Sequence, residues 1–367
     1  MRNAFQQQIL HLLQAWVDGG AEHLKTLDPR ILRPLMETVR GGVDKAQTHC
    51  PVTHSRDNQQ WLNRQGLMPI MASLLSQQAR RAPDPESGDS PAEALRQKRL
   101  GYLCHDLYLE ASACDLAKAL NAWGKPWAII KGFALARRVY PQSFMRLCGD
   151  IDILVRPEDQ RDALNVLYAI GGKNSAQNIQ PHEQTVIIKG VSIDIHNAPM
   201  RKGRLRFNPT PDWLSRTQRV DIFPCLSEHD ELVLSLIHPA VTEYLVARVV
   251  RMLDIFLQIK RNREAPDWPR VADDILRLGL ANAAYATALC VNDRFAAQND
   301  PIIPRLFLDR LQVGWIRQRY WRFWLTRQPD RLYAASPLLA QLLFSLWLND
   351  SPRDWVRALV DKGTERH

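Results

Sequence analysis

The chain has 367 residues, 46% hydrophobic and 24% charged, an ordinary globular composition with length for two or three domains. Its formal charge of +9 comes from Lys and Arg spread along the chain without a nucleic-acid motif, so general affinity for anions, nucleotide phosphates included, is favoured over a dedicated nucleic-acid partner or an anionic membrane surface. Six scattered cysteines without a Cys-x-x-Cys pair argue against a zinc site or a disulfide framework, and a reduced cytoplasm is the expected setting.

No cleavable signal is expected, because Gln6, Gln7 and Gln8 interrupt any apolar block after Arg2. The longest uncharged stretch, Leu332 to Asn349, contains Ser336, Pro337, Gln341 and Ser345, so no membrane span is expected. Residues 1–81 read as a helical region. Ile9, Leu10, Leu12, Leu13 and Trp16 fall at helical spacing, Asp28-Pro29 marks a helix start, and Trp61 to Leu75 supplies a second apolar face. Cys50, His49 and His54 lack the second cysteine pair that a zinc site needs. Residues 82–92, rich in Pro, Ser and acids, read as a linker.

A core region is expected over residues 93–225. A long helix over 92–123 ends at Gly124-Lys125-Pro126 and feeds a buried strand, Trp127 to Ile130. The strand breaks at Lys131-Gly132, and Phe133 to Val139 reads as a helix. A strand, a glycine turn and a helix N-terminus form an anion site, because backbone N–H groups and the helix dipole converge there. Lys131 and Arg146 add a point charge and a guanidinium fork suited to phosphate. Asp150 to Val155 reads as the next strand, whose period of two sends the Asp150 and Asp152 carboxylates out of one face. Like charges that close repel, and a divalent cation between them removes the repulsion.

Pro157 to Ile170 reads as a helix stopped by Gly171-Gly172. Residues 184–197 read as a hairpin turning at Lys189-Gly190, with Ser192, Asp194 and His196 on the polar side of its second arm. His182 precedes it in a loop. Arg201, Lys202, Arg204 and Arg206 form the one basic cluster, either a solvated loop or a phosphate or nucleic-acid contact beside the site. Residues 226–367 read as a helical C-terminal domain. Ser227 caps a helix whose first turn holds Asp230 and Glu231. Further helices are expected over 233–237, 241–259, after Asp267-Trp268-Pro269, and over 281–297, 304–325 and 338–348, with Ser351-Pro352 capping the last. The Arg- and Trp-rich stretch 315–327 suits a membrane-surface or nucleic-acid contact, but at helical spacing Trp321 and Trp324 are expected in the core. The class is α+β: a small mixed sheet with flanking helices between helical N- and C-terminal regions.

The run Lys131-Gly132, Tyr140-Pro141, Arg146, Asp150-Ile151-Asp152-Ile153-Leu154-Val155 resembles the nucleotidyltransferase fold of the polymerase-beta type. It is nearest to a bacterial subgroup of uncharacterised nucleotidyltransferases. The wider fold carries Gly-Ser or Gly-Gly at the turn; here Phe133 follows Gly132, as in the subgroup. Asp194-Ile195-His196 matches the subgroup's acid-apolar-His, and His238 and Asp254 correspond roughly to polar positions of its helical half. The resemblance implies Mg²⁺ at two sites held by Asp150, Asp152 and Asp194, and a nucleoside triphosphate bound at Lys131, Gly132, Arg146 and His196. It also implies transfer of a nucleoside monophosphate to an unidentified acceptor hydroxyl. The alternative expectation is a non-catalytic binding protein on a degenerate version of the fold.

Overall fold

Alternating apolar residues in the middle of the chain build one mixed sheet. The computed structural model describes residues 4–23, 38–39, 52–79, 91–180, 182–244, 249–296, 300–326 and 335–357. Its strands are β1 (Trp127–Ile130), β2 (Asp150–Val155), β3 (Lys173–Gln180), β4 (Glu183–Ile188), β5 (Val191–His196), β6 (Gln218–Val220) and β7 (Phe223–Cys225). They lie in the order β3-β4-β5-β2-β1-β7-β6. β2 runs antiparallel to β1 and parallel to β5, and β7 runs parallel to β1. The expected hairpin is β4–β5. Lys189 (φ 50°) and Gly190 (φ 81°) both take positive φ at its turn, the conformation that a tight two-residue hairpin needs.

Each face of the sheet has its own core. Ile129, Ile151, Ile153, Ile193 and Ile195 pack on one side against Leu109, Ala113 and Leu116 of helix α4 (Pro91–Trp123). Phe133 of α5 (Lys131–Val139) and Leu167 of α6 (Gln160–Ala169) join that cluster. Ala128, Ile130 and Leu154 face the other way, into a larger helical core. This core takes residues from the N-terminal helices α1 (Ala4–His23), α2 (Val52–Arg64) and α3 (Met68–Ala79). It takes more from α8 (Glu228–Thr242), α9 (Val249–Arg261), α10 (Trp268–Leu278) and α11 (Ala281–Phe295), with a short α7 (Thr210–Ser215) between sheet and helices. The C-terminal helices α12 (Arg305–Arg310), α13 (Trp315–Thr326) and α14 (Pro337–Leu348) complete it. Among the described residues no helix is long and apolar enough to cross a membrane.

Several elements differ from expectation. β3, β6 and β7 were not anticipated: β3 lacks apolar alternation, and β6 and β7 are three-residue strands, the latter with a central proline. α5 starts at Lys131 rather than Phe133, because Lys131 itself (φ 59°) makes the turn. The helix expected from Pro157 opens instead as a 3-10 turn, Pro157–Asp159, before α6. The long 304–325 helix is two helices, α12 and α13, interrupted where Gln312 takes a positive φ of 52°. Ser227 caps α8 by accepting from Asp230 N, and Asp267 caps α10 by accepting from Arg270 N. Trp321 and Trp324 lie in the core. Most of the 82–92 linker, the Asp28-Pro29 start and the Cys50 segment lie outside the described residues.

Candidate active site

Parallel pairing of β2 and β5 sets the site. Asp152 is the register partner of Asp194, and Asp150 of Ser192, so the three carboxylates share one face in two adjacent strands. That face looks toward α8 and α9, since Leu154 and Ile130 beside the row belong to the helical core. Asp150 keeps one side open to solvent at the strand's start, and Asp152 and Asp194 are more fully covered.

The environment separates the three acids. Burial would raise the Asp152 carboxyl, but Lys131 and His196 hold it well below the usual carboxylate range. Lys131 Nζ donates to Asp152 Oδ1 at 2.7 Å. His196 Nε2 lies 2.7 Å from the same oxygen and 3.2 Å from Lys131 Nζ. A neutral ring can donate to the carboxylate or accept from the ammonium at that nitrogen, but not both. Burial, reinforced by Asp152 and Asp194, pushes Asp150 up to about 6. Burial also raises Asp194, against the Thr185 Oγ1 hydroxyl that donates to its Oδ1 at 2.7 Å.

Gly132 and Phe133 show how the turn is built. A Cβ on Gly132 would sit 3.3 Å from Cys148 Sγ and 3.7 Å from an Arg146 nitrogen, so the absence of a side chain lets α5 close on the loop before β2. Phe133 turns into the opposite core, edge-on to Phe223 with Arg137 above its ring, and adds no bulk on the carboxylate side. Arg146 does not join the carboxylate row. Its guanidinium, 5% exposed, forms a bidentate pair with Asp254 of α9 at 2.9–3.1 Å, and Tyr140 donates to the same carboxylate at 2.7 Å. The fork expected at phosphate therefore fastens the β2 approach to α9.

Glu231, Arg251 and His238 complete the surroundings. The sequence marks Glu231 only as a first-turn acid of a helix, and nothing in local spacing announces a contact across 100 residues. Its Oε1 accepts from the backbone N–H of Lys131 at 3.1 Å and so ties down a residue in the left-handed region. Lys131 and then Arg251 temper the rise of the Asp150 carboxyl, and together with Glu231 and His238 they line a narrow cleft of about 20 Å³ between sheet and helices. Burial first, then Lys131 and Arg251, lower His238 well below its ordinary value, which keeps the ring neutral.

Burial pushes the Glu231 carboxyl up to about 7 from 4.5. An acid raised on folding is protonated more readily in the folded chain, so stability falls as pH rises from 4.5 through 7. Glu231→Gln keeps the acceptor for Lys131 and removes the ionisation. Its stability advantage over wild type is expected to grow from none at pH 4.5 to about 3 kcal/mol at pH 8. Urea denaturation at several pH values measures this, and a pH-independent difference would show that Glu231 ionises normally.

Hard carboxylate oxygens on one face, two of them raised by burial and mutual repulsion, suit a divalent cation in donor chemistry. Among the described residues, no three His, Cys, Asp or Glu side chains converge as a ligand cluster, and the Lys131 ammonium provides the counter-charge at Asp152. A search of curated proteins finds no match to the chain. A match to a family description spans residues 53–296, which include the sheet, the carboxylate row, α8 and α9. That span is about two thirds of the chain, and it assigns the protein to nucleotidyl transfer in general: the chain belongs to the uncharacterised nucleotidyltransferase family.

Proposed function

We propose that the protein is a metal-dependent nucleotidyltransferase that moves a nucleoside monophosphate from a nucleoside triphosphate to an acceptor hydroxyl. The observation that supports this most is the in-register pairing of Asp152 with Asp194, with the Lys131 ammonium 2.7 Å from Asp152. Asp150, Asp152 and Asp194 would hold Mg²⁺ at up to two sites, and bound Mg²⁺ supplies charge against the phosphate oxygens. Lys131 can exchange its carboxylate partner for a triphosphate oxygen, and the N–H groups of α5's first turn beyond that of Lys131, which Glu231 holds, add to the anion's binding. His196 orients Asp152. Asp194, raised by burial, accepts the proton of the acceptor hydroxyl. The hydroxyl oxygen bonds to the α-phosphorus, the bond to the bridging oxygen breaks, and pyrophosphate leaves. Arg146 acts at a distance, by holding the loop before β2 on α9. Cys104, Cys114, Cys148 and Cys225, none in a disulfide, fit a reducing cytoplasm as the setting.

A second reading, a non-catalytic binding protein, is favoured by the Lys131–Asp152 ion pair, which neutralises a carboxylate that catalysis needs for metal. Calorimetry with ATP, GTP, CTP and UTP, with and without Mg²⁺, separates the two. Mg²⁺-dependent binding, followed by transfer of an α-phosphate label and no transfer of a γ-label, is the expected result. Absence of binding to all four nucleotides in both conditions would assign the chain to the second reading.

A further inference from the structure

We infer that the basic groove beside β5 is the acceptor subsite and that the acceptor is a small phosphomonoester. This rests on the nucleotidyl-transfer reading. The groove, about 400 Å³, is of small-ligand size. Its wall begins with Asn197 and Ala198, immediately after His196 of the carboxylate face. Asn197 N donates to His182 O at 3.1 Å, so the His182 loop and the end of β5 form one corner. The His182 ring lies within the field of both His196 and Arg201, which joins the groove to the site electrostatically.

The groove's charge is one-sided. Arg201, Lys202, Arg206 and Arg357 line it beside the His182 ring, which burial keeps neutral, and neither Asp nor Glu does. Arg206 and Arg357 share Asp354 and are compensated. Arg201 and Lys202 are exposed and have no ion-pair partner among the described residues. Arg204 behind them is half-buried, and burial disfavours its charged form, with Tyr244 acting against that and Arg201 adding to it. Arg201 and Lys202, adjacent in sequence with Arg204 behind them, repel one another, and a dianion seated against them offsets that repulsion. Guanidinium forks match phosphate oxygens in geometry. Met200, Leu205 and Phe207 supply an apolar wall for the body of the same molecule. A polynucleotide would need a longer basic track than this short groove offers.

Ribose 5-phosphate, ribose, inorganic phosphate and a twelve-nucleotide oligoadenylate serve as calorimetric probes, with MgATP as a separate titrant. Wild type is expected to bind ribose 5-phosphate and inorganic phosphate and not ribose. Arg201→Glu with Lys202→Glu, both exposed, is expected to weaken the two phosphate probes at least tenfold, about 1.4 kcal/mol, with MgATP affinity unchanged. Arg204→Gln, checked for folding by circular dichroism, is expected to weaken them in the same direction. Phosphate binding that survives charge reversal overturns the inference. So does loss in step with MgATP, which would give these cations to the triphosphate, or binding of the oligonucleotide alone. Failure of wild type to bind MgATP overturns the transfer reading instead, and is seen separately from the phosphate titrations.

Discussion

Asp150→Asn and Asp152→Asn are each expected to lower nucleotidyl transfer at least about a thousandfold, the several kcal/mol that a lost carboxylate ligand removes from charge stabilisation. They are expected to differ in stability. Asp150 is raised by burial and by two neighbouring carboxylates, so neutralising it relieves repulsion. Its open side faces solvent, which screens the gain to about 1 kcal/mol or less. Asp152 is held well below the carboxylate range, with Lys131 and His196 both on its Oδ1. Replacing it leaves a largely buried ammonium without a counter-ion, and a loss of about 3 kcal/mol is expected. Asp152→Asn with Lys131→Met should recover that stability and none of the activity. Urea denaturation beside an α-label transfer assay reads both quantities. Full activity in Asp150→Asn and Asp152→Asn alike would remove the carboxylate row from the mechanism.

Asp254→Ala is expected to destabilise the protein by about 3–5 kcal/mol, the range for breaking a buried pair on one side. Asp254 and Arg146 are 2% and 5% exposed, and three guanidinium contacts at 2.9–3.1 Å join them. The alanine leaves the Arg146 charge enclosed and takes the acceptor from Tyr140. Arg146→Met with Asp254→Leu fills similar space without charge and is expected to regain most of the loss, because desolvation of both ions disappears together. If Arg146 instead contacts phosphate, Arg146→Met would weaken MgATP binding tenfold or more without the matching loss of stability. A double-mutant cycle on urea stability, with MgATP calorimetry on each variant, decides between the two.

Local patterning made much of the molecule readable. Ile151, Ile153 and Val155 alternate with Asp150, Asp152 and Leu154, and a period of two sends both acids to one face whatever the strand's partners. Lys189-Gly190 marked its turn because positive φ suits so few residues. Ser227 and Asp267 marked helix starts because a short side-chain acceptor there satisfies a free N–H. β3 and β7 have no such local signal, because strand pairing, not residue preference, makes them strands.

The sequence by itself determined which side chains leave each strand and helix on which face, since 2.0 and 3.6 residue periods are covalent geometry expressed locally. Only the tertiary structure decided what those side chains meet. Parallel register between β2 and β5 put Asp194 opposite Asp152, folding of α8 over the sheet brought Glu231 to the Lys131 N–H, and α9 captured Arg146. Those contacts join residues 42, 100 and 108 positions apart, respectively. A charge's partner at such separation is chosen by packing and desolvation across the whole fold, which no local pattern records.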